Sequence, residues 1–443
     1  MKRFVYASIR AFTSLQRALR ERLTPAGWLV LGAAGVAAAA GVDTNQTATY
    51  QAFALFAAFL AIALASAPLR RAKVSIQREL PRYATAGAPF SYTVSVANRG
   101  ARRLGDCVLR ERVADPRPAF AEWRVAREPG ERRRNWFDRE MGFFRWQWLV
   151  KRRLPRHAEE IQLGEIEPGG SRTVRLSMTP RRRGRIDLAG LTLGRAEPLG
   201  LVNGLTRVTL PARVTALPRR YRVPQLALPG RRKFQQGGVS LASSIGDSEE
   251  FIGLRDYRPG DPLQKLHWKS FARSGKPIVK EFQDEFFERH ALILDTAREE
   301  GEDPAFEEAV AVAASFVYTI ETRECLLDLL FAGTEVHAYT TGRGQMSADH
   351  LLEILAAVGP SDAERFGDIA RLVRGRIGRM SSCILVYLGW DEERRALAES
   401  LLGGGLDVRA MLVCLPRERP RDAPAWLRIL HPGEIEAGLA TLA

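Results

Sequence analysis

Cysteine is scarce in this sequence of 443 residues, and the few cysteines that occur are far apart. No two of them form a C-x-x-C pair, so the pattern matches neither a disulfide framework nor a cysteine-ligated metal site. Each one lies within an apolar stretch, as expected for small buried thiols in a reducing compartment. The four positions are Cys107, Cys325, Cys383 and Cys414.

Motifs for nucleotide binding and for common hydrolytic chemistry are also lacking. The chain contains no G-x-G-x-x-G after a predicted strand and no P-loop, so no motif supports nucleotide binding. It contains no G-x-S-x-G, no H-E-x-x-H and no cysteine–histidine signature. Because no recognisable catalytic set is present, the sequence favours a protein that is not an enzyme.

Acidic residues are in deficit relative to basic ones. The chain has 66 lysines and arginines against 51 aspartates and glutamates, which gives a net charge of +15. The excess comes chiefly from arginines in the first half, and it suits nucleic acid, anionic lipid or acidic protein partners without choosing among them. A length of 443 residues and a hydrophobic content of 46% indicate two or three globular domains.

Two apolar runs without a charged residue lie near the start of the chain, at about residues 26–42 and 50–69. Each is close to the ~20 residues that a membrane-spanning helix needs, and the second run argues against a cleaved signal peptide. Lysines and arginines precede the first run and follow the second, whereas the loop between them has none. The positive-inside rule therefore predicts a transmembrane helical hairpin over residues 1–73 of a multi-pass inner-membrane protein, with the N- and C-termini in the cytoplasm.

Short alternating strands are predicted over residues 74–223. Apolar and polar residues alternate with period two at 90–96, 173–178 and 186–193, and turns rich in glycine, proline and asparagine separate these stretches. Regularly spaced short strands of this kind predict an all-β, immunoglobulin-like sandwich.

Residues 114–160 interrupt that pattern with half of the chain's eight tryptophans among many arginines. We expect a long β-hairpin folded back on the sandwich, with its tryptophans buried. One alternative is a surface at the bilayer interface, with tryptophan at headgroup level and arginine toward anionic lipid. Another is a stacking surface for single-stranded nucleic acid. Because the chain is predicted to be tethered to a membrane, no nucleic-acid partner is expected.

Strands and helices alternate along residues 286–443, as in a doubly wound α/β sheet. A buried strand at 291–295 precedes a helix that Asp303 and Pro304 open, and Ser347 caps a later helix. Further strands are predicted at 326–331, 336–340, 382–388 and 408–415, with another helix at 391–402. The whole chain is thus predicted to be multidomain, with an α/β domain at its C-terminal end.

The densest mixture of charges, aromatics and turn residues occupies residues 246–282, within a segment at 224–285 that joins the two soluble domains. An Asp-Pro pair at 261–262 indicates a helix start, and three apolar residues could then share one face of about two helical turns. A Ser-Gly pair at 274–275 would end that helix before a strand at 278–282. The segment is predicted to be either an inter-domain joint, held by ion pairs and Trp268, or a surface for a partner.

This stretch resembles the signature of a bacterial family called domain of unknown function 58. G-L-R-x-Y-x-P-G-D occurs at 253–261, H-W-K at 267–269, A-R-x-G at 272–275 and V-K-E-F at 279–282. The resemblance implies a β-rich region between membrane helices and the signature, and no defined biochemical activity. The residues expected at the joint or partner surface are Gly253, Leu254, Arg255, Tyr257, Arg258, Pro259, Gly260, Asp261, His267, Trp268, Lys269, Arg273 and Lys280.

The end of the first predicted strand of the α/β domain resembles the von Willebrand factor A fold. In that fold, D-x-S-x-S places a carboxylate and two hydroxyls around Mg²⁺ at a crevice over the strand ends. Here Asp295 matches the first position, but Ala297 and Glu299 stand at the two serine positions. Asp295 is therefore a metal-ligand candidate in a degenerate site for Mg²⁺, and no other cofactor is expected. Oxygens to replace the missing hydroxyls would have to come from Thr296, Thr340, Thr341 and Asp391.

The family resemblance also implies a partner, a MoxR-type AAA+ ATPase, which von Willebrand factor A proteins are thought to link to its clients. The sequence thus predicts a membrane-anchored, non-enzymatic scaffold or adaptor in the assembly or maturation of client complexes, with the lipid bilayer as a further partner. One alternative is a hydrolase or transferase that uses His267 with a nearby acid or Ser270. The other is a nucleic-acid-binding protein, which rests on charge and on residues 114–160.

Overall fold

The computed structural model describes residues 2–40, 47–224, 234–235, 251–259, 263, 266–282, 286–298, 303–320, 325–333, 335–342, 347–362 and 365–441. The chain divides into two units, Met1–Arg219 with Leu355–Ala357, and Arg220–Ile354 with Val358–Ala443. The first unit contains helices and two sheets, and the second contains a larger mixed sheet covered by helices.

Three helices begin the first unit: α1 (Lys2–Arg22), α2 (Pro25–Ala40) and α3 (Thr47–Ser66). The stretch Ala48–Arg70 is long and apolar enough to cross a membrane, by length and composition. This confirms a membrane-length apolar helix for the second predicted run. Helix α2 is equally apolar, but its 16 residues span about 24 Å, which is short of the roughly 30 Å hydrocarbon core. The loop predicted between the two runs lies mostly outside the described residues.

Two β-sheets follow and share one core, which confirms a β-rich domain. The strands that the alternating pattern predicted are present as β3, β7 and β8, and their buried residues from both sheets form a single apolar cluster. One sheet has the order β1-β3-β7-β5, and the other has the order β2-β9-β8-β4-β6. The strands are β1 (Val74–Glu79), β2 (Tyr83–Thr85), β3 (Phe90–Asn98), β4 (Cys107–Val113), β5 (His157–Ala158), β6 (Glu160–Leu163), β7 (Ser171–Thr179), β8 (Gly184–Ala196) and β9 (Asn203–Leu217).

The tryptophan- and arginine-rich segment is helical, so the predicted β-hairpin is wrong. Its helices are α4 (Phe120–Val125), α5 (Trp136–Met141) and α6 (Phe143–Arg153). The side chains of Trp123 and Trp146 are buried against Ile9 of α1, as expected for tryptophans that pack. Trp136 is 72% exposed, however, so burial does not extend along the whole segment.

The turn that precedes β9 is where the apolar helices join the sheets. Val202 and Leu201 form a small apolar cluster with Ala63 and Ala67 at the end of α3. The Thr24 hydroxyl donates to the carbonyl oxygen of Gly200 at 2.5 Å and accepts from the backbone N–H of Gly27 at 3.0 Å. A side chain at Gly27 would overlap the Leu201 carbonyl oxygen, so this close approach requires glycine. The base of the α2–α3 pair is therefore fixed to the β-rich domain.

The second unit is built on a doubly wound sheet, as predicted. The order β15-β14-β13-β16-β17-β18 runs outward in both directions from β13, and all neighbours are parallel except β15, which is an antiparallel edge. A short strand, β10, also pairs with β13. The strands are β10 (Phe234–Gln235), β11 (Phe251–Asp256), β12 (Ile278–Phe282), β13 (Phe286–Leu294), β14 (Cys325–Ala332), β15 (Val336–Thr341), β16 (Ser382–Tyr387), β17 (Asp407–Val413) and β18 (Leu427–Leu430).

The helices of this unit begin largely where their capping residues indicated. The Asp303 carboxylate accepts from the backbone N–H of Ala305, and the Ser347 side chain accepts from that of His350. The sequence did not predict α10, α12 or the edge strand β18. The helices are α7 (Trp268–Ser274), α8 (Pro304–Thr319), α9 (Ala348–Ala357), α10 (Phe366–Arg374), α11 (Glu392–Gly403) and α12 (Ile435–Ala440).

The core of the sheet is apolar. The four cysteines, three in this unit and Cys107 in the first, are buried, as predicted for small buried thiols. One titratable side chain in this core is His290 on β13, which is 4% exposed. Its Nδ1 lies 2.7 Å from the Ser382 hydroxyl. Burial lowers the pKa of His290, while Glu288 and Asp407 act in the opposite direction.

Acidification should therefore destabilise this unit through His290. The unfolded chain takes up a proton as the pH falls below about 6.5, whereas the folded chain does not until a lower pH is reached. Stability from this residue is thus present above about pH 6.5 and is lost as the pH falls toward the folded-state pKa. Thermal unfolding of the full chain between pH 7.5 and 5.5 should show less acid destabilisation for His290→Gln. The control is His350→Gln, which removes an exposed imidazole, and equal acid sensitivity of His290→Gln and wild type would contradict the prediction.

Candidate functional site

The segment at 251–282 forms a two-stranded antiparallel sheet with a short helix on it. Strand β11 pairs with β12 in a register that sets Leu254 opposite Lys280 and Arg255 opposite Val279. Val279 is also bridged by Leu266, and both side chains are buried. These apolar contacts hold β12 in place beneath α7. The predicted strand at 278–282 is confirmed, whereas its partner β11 was not predicted.

Helix α7 begins at Trp268, so the predicted start at Asp261 and Pro262 is not borne out in the described part of the segment. Leu266 lies in a β-bridge and the His267 N–H donates to the Ile278 carbonyl oxygen at 2.8 Å, so the chain is extended there. The Gly260, Asp261 and Pro262 positions lie outside the described residues. The helix ends at Ser274 as predicted, because Gly275 takes the left-handed conformation with φ +68°.

Several side chains of α7 and its surroundings are presented to solvent. Trp268 is 62% exposed and Phe271 is 37% exposed, with their ring centroids 6.2 Å apart in an edge-on arrangement. Leu254 and Leu263 are also exposed apolar side chains. Among the predicted site residues, the exposed positively charged ones are Arg258, Lys269 and Arg273, with Pro259 exposed nearby. The half-buried ones are Arg255, Tyr257, His267 and Lys280, and Gly253 lies in β11.

The His267 side chain contacts Ser270 in the first turn of α7. Its Nδ1 lies 2.6 Å from the Ser270 hydroxyl, and its backbone carbonyl accepts from the Ser270 N–H at 3.0 Å. The His267 side chain does not cap the helix through a backbone N–H group, and its contact with Ser270 joins two side chains one turn apart. Asp256, a predicted acid for an enzymatic set, is exposed at the end of β11.

Asp295 lies at the end of the central strand β13 and is fully buried. Arg394 on α11 donates from Nε to Asp295 Oδ2 at 2.7 Å and from Nη2 to Oδ1 at 3.1 Å. The backbone N–H groups of Ala297 and Leu388 complete the set at 3.0 Å each. A carboxylate has about four lone-pair directions, so every one of them is already used.

These contacts do not fit a divalent cation on Asp295. The Arg394 guanidinium supplies the positive charge there, and it also pairs with Asp391 and lies 4.4 Å above the Phe366 ring. Of the candidate replacement oxygens, Thr296 Oγ1 donates to the Ala332 carbonyl at 2.6 Å. Thr340 Oγ1 donates to Asp328 at 2.6 Å. Within the described residues, no group of three or more histidine, cysteine, aspartate or glutamate side chains is placed to hold a metal.

Arg394 is the residue of this site that the sequence did not reveal. It lies 99 positions after Asp295, and its three-residue spacing from the helix-capping Asp391 looks like an ordinary surface pair. A signal was nevertheless present, because an aspartate at the end of a fully buried strand needs a compensating donor.

Comparison with known proteins places the signature in a family. Residues 253–381 match the family described as "Protein of unknown function DUF58". The chain is 28% identical over 176 residues to "Uncharacterized protein YeaD" of Bacillus subtilis (strain 168). That match covers 39% of this chain and 43% of the relative, so the chain spans less than half of the relative's length.

Solved structures resemble part of the chain only distantly. The CARDB domain of the PF1109 protein from Pyrococcus furiosus, solved in complex with di-metal ions, matches with a TM-score of 0.18 and 10% identity over 33% of this chain and 90% of that domain. A PapD-like domain of human CEP192 matches with a TM-score of 0.16 and 9% identity over 33% of this chain and 87% of that chain. At TM-scores this low, neither similarity establishes a fold for this chain.

Proposed function

This chain belongs to the DUF58 family through residues 253–381, and from that starting point we propose that it is a membrane-anchored adaptor that acts through protein–protein contacts rather than by catalysis. The observation that carries the proposal is the exposed Trp268 beside Phe271, Lys269 and Arg273 on α7. Burying these two rings in a partner would remove a large apolar area from water.

The composition of this surface is that of a protein interface. Tryptophan, tyrosine and arginine dominate the few side chains that carry most of the binding energy at interfaces, and charged residues surround them. Trp268 and Phe271 would form the apolar centre, and Lys269 and Arg273 would lie at its rim. A partner with an acidic surface would be oriented by these charges, and association would slow as salt is added.

The partner that we propose is a MoxR-type AAA+ ATPase, on the basis of the family resemblance. The α/β unit, with β13 at the centre of a largely parallel sheet, is compatible with the von Willebrand factor A-like architecture that such adaptors use. The sandwich of the first unit would be an immunoglobulin-like module attached to the membrane anchor. Together they would present clients to the ATPase during assembly or maturation of client complexes.

We propose that α2 and α3 form the predicted membrane hairpin, although by length α3 alone suffices to cross a membrane. The two helices lie against one another and neither contains a charged residue. Basic residues before α2 and after α3 then favour an inner-membrane location with both ends of the hairpin, and the soluble units, on the cytoplasmic side. Because the hairpin base is fixed to β9 through Thr24 and Gly27, the sandwich would be held at a set orientation to the bilayer.

We propose a non-enzymatic function because the reactive side chain at the end of the central strand is already bonded to other groups of the protein. Asp295 is saturated by Arg394 and two backbone N–H groups. For the alternative hydrolase or transferase, the relevant contact is between His267 and Ser270. Partner binding that survives in His267→Ala would agree with a structural role for His267, whereas loss of a measurable turnover in that variant would favour the alternative.

The test uses the purified full chain in detergent and the MoxR-type ATPase from the same organism. Trp268→Ala combined with Arg273→Ala should weaken binding by at least tenfold, since a single central tryptophan at an interface can contribute ~2 kcal/mol or more. Surface plasmon resonance at two salt concentrations would give the affinity and its charge dependence.

The matched control is Trp136→Ala combined with Arg139→Ala, which removes an equally exposed tryptophan–arginine pair from the first unit. It should bind the ATPase as wild type does. If both double variants bind the ATPase as tightly as wild type does, α7 is not the docking surface. If the wild-type chain does not bind the ATPase at all, the proposed partner is wrong.

A further inference from the structure

A cavity of about 1000 Å³ lies within the first unit, between α1, α6 and the sheet formed by β4, β8 and β9. Side chains of α1 and α6 close it on one side, and Thr192, Gly194 and Leu205 of the sheet form its floor. A volume of this size is at the upper end of the range for small-molecule sites.

The walls of this cavity combine apolar surface with an excess of positive charge. Val150, Leu154 and Leu205 line it together with eight arginines and lysines and five carboxylates. Most of the carboxylates already have arginine partners: Glu21, for example, is paired with Arg17 at 3.0 Å and with Arg207 at 2.8 Å. The remaining positive charges are therefore not balanced from within the cavity.

Two of the arginines that line the cavity are available to an anion. The ion pairs of the cavity wall involve other arginines, whereas Arg112 and Arg181 form no ion pair with a carboxylate among the residues that the structure describes. A second, smaller cavity of about 360 Å³ adjoins at Arg181 and is lined by further arginines, including Arg182 and Arg185. The guanidinium groups of arginines that line a cavity can donate parallel hydrogen bonds to an anion, and phosphate oxygens suit them well.

The position of the cavity identifies the source of such an acceptor. Arg20 and Glu21 at the end of α1 line the cavity, and α2 begins at Pro25, only a few residues further along the chain. The cavity therefore begins close to the base of the α2–α3 pair. A phospholipid of the membrane that α3 enters would have its headgroup within reach.

We infer that this cavity binds an anionic phospholipid, with its phosphate at Arg112 and Arg181 and part of an acyl chain along the apolar wall. The inference rests on the proposed membrane anchorage and names the lipid class that the first unit recognises. Phosphate is the group that the two arginines would hold, whether it comes from a lipid or from a soluble phosphate ester, and the apolar wall is what favours the lipid. A bound lipid would also link α1 to the sheet.

Binding can be measured on the purified full chain in dodecylmaltoside micelles with fluorescently labelled phosphatidylglycerol and phosphatidylcholine. We expect phosphatidylglycerol to bind at least tenfold more tightly, because each basic residue near an anionic headgroup contributes measurably to attraction. Unlabelled glycerol phosphate, added as a competitor, separates a lipid from a soluble phosphate ester. If glycerol phosphate displaces the lipid at similar concentrations, the lipid assignment is overturned.

Two variants test the two parts of the cavity. Arg112→Gln combined with Arg181→Gln removes the charges, and Gly194→Leu fills the cavity while keeping them, since a Cβ at Gly194 meets only ordinary contacts at 3.6 Å or more. Each should weaken phosphatidylglycerol binding about tenfold or more. Arg124→Gln combined with Arg139→Gln, at two exposed arginines of the same unit, should have no effect. Unchanged binding in both test variants would refute the inference.

Anchorage itself is measured separately by alkaline carbonate extraction of membranes that contain the wild-type chain. Extraction of the chain into the soluble fraction would refute the anchor, whereas the lipid affinities in micelles would still report on the cavity. Failure of the proposed membrane anchor and failure of the proposed lipid site therefore give different results.

Discussion

Replacing Arg394 with methionine should lower the free energy of opening of the α/β unit by about 3–5 kcal/mol. The change leaves the buried Asp295 carboxylate with two backbone donors but without a counter-charge, and a lone buried charge costs far more than the pair contributes. Methionine retains most of the volume that packs over Phe366, so the loss reports on charge rather than on a void. Amide hydrogen exchange of peptides that cover β13 and β16 measures this unit within the full chain.

Arg395 provides the matched control for that experiment. It is the next residue on α11, with a side chain 38% exposed and an ordinary surface pair to Glu399. Arg395→Met should change the free energy of opening by less than about 0.5 kcal/mol. Combining Asp295→Asn with Arg394→Met should recover part of the loss, because neither charge is then left unpaired. Similar exchange in Arg394→Met and Arg395→Met would mean that the pair does not hold the strand ends together.

The same variant bears on metal binding at Asp295. If Arg394 fills the place of a cation, removing it frees two lone-pair directions of the carboxylate and one of Asp391. Addition of Mg²⁺ should then stabilise Arg394→Met more than it stabilises wild type. The Arg394 guanidinium thus supplies, beside Asp295, the positive charge that a bound cation would supply.

The parts of the fold that sequence predicted are those fixed by local signals. Asp303 and Ser347 cap helices by accepting hydrogen bonds from N–H groups two or three residues away. Because both partners of each bond are close in sequence, the caps can be recognised from the sequence alone. The alternation of apolar and polar residues in β3 indicates a strand buried on one face. The continuous apolar run in β13 indicates a strand buried on both faces. Doubly wound order then follows, because parallel strands need helical crossovers.

The errors arose where distant residues decide the outcome. The start of α7 was placed too early because Leu266 has helical spacing, but a bridge to Val279 keeps it extended. Arg394 was missed because its partner lies 99 residues away. In residues 114–160, the mixture of tryptophan and arginine predicts a hairpin or a binding surface. The spacing of Phe143, Trp146 and Leu149 was nevertheless a helical signal, since each is three residues after the last.

Trp123 should be the most sensitive tryptophan of the first unit. It is 1% exposed, its indole N–H donates to the Gly142 carbonyl at 3.0 Å, and its ring lies against Tyr6 of α1 and Phe120. Trp123→Ala should therefore cost about 3–5 kcal/mol of local stability. The loss should appear as faster amide exchange in α1 and α6, because these helices share the cluster around Ile9 and Trp146.

Trp136→Ala is the control, since that side chain is 72% exposed and should change local stability by less than about 0.5 kcal/mol. Faster exchange of α1 in Trp123→Ala alone would show that the basic helix is held by a buried aromatic cluster, while Trp136 is free for contacts outside the chain. Unchanged exchange of α1 in Trp123→Ala would contradict this. In that case α1 would depend on its contacts with β9, where Arg207 pairs with Glu21. Helix α1 also lines one side of the cavity over β8. Lipid affinity of Trp123→Ala, measured beside the amide exchange of α1, therefore shows whether lipid binding depends on the packing of α1.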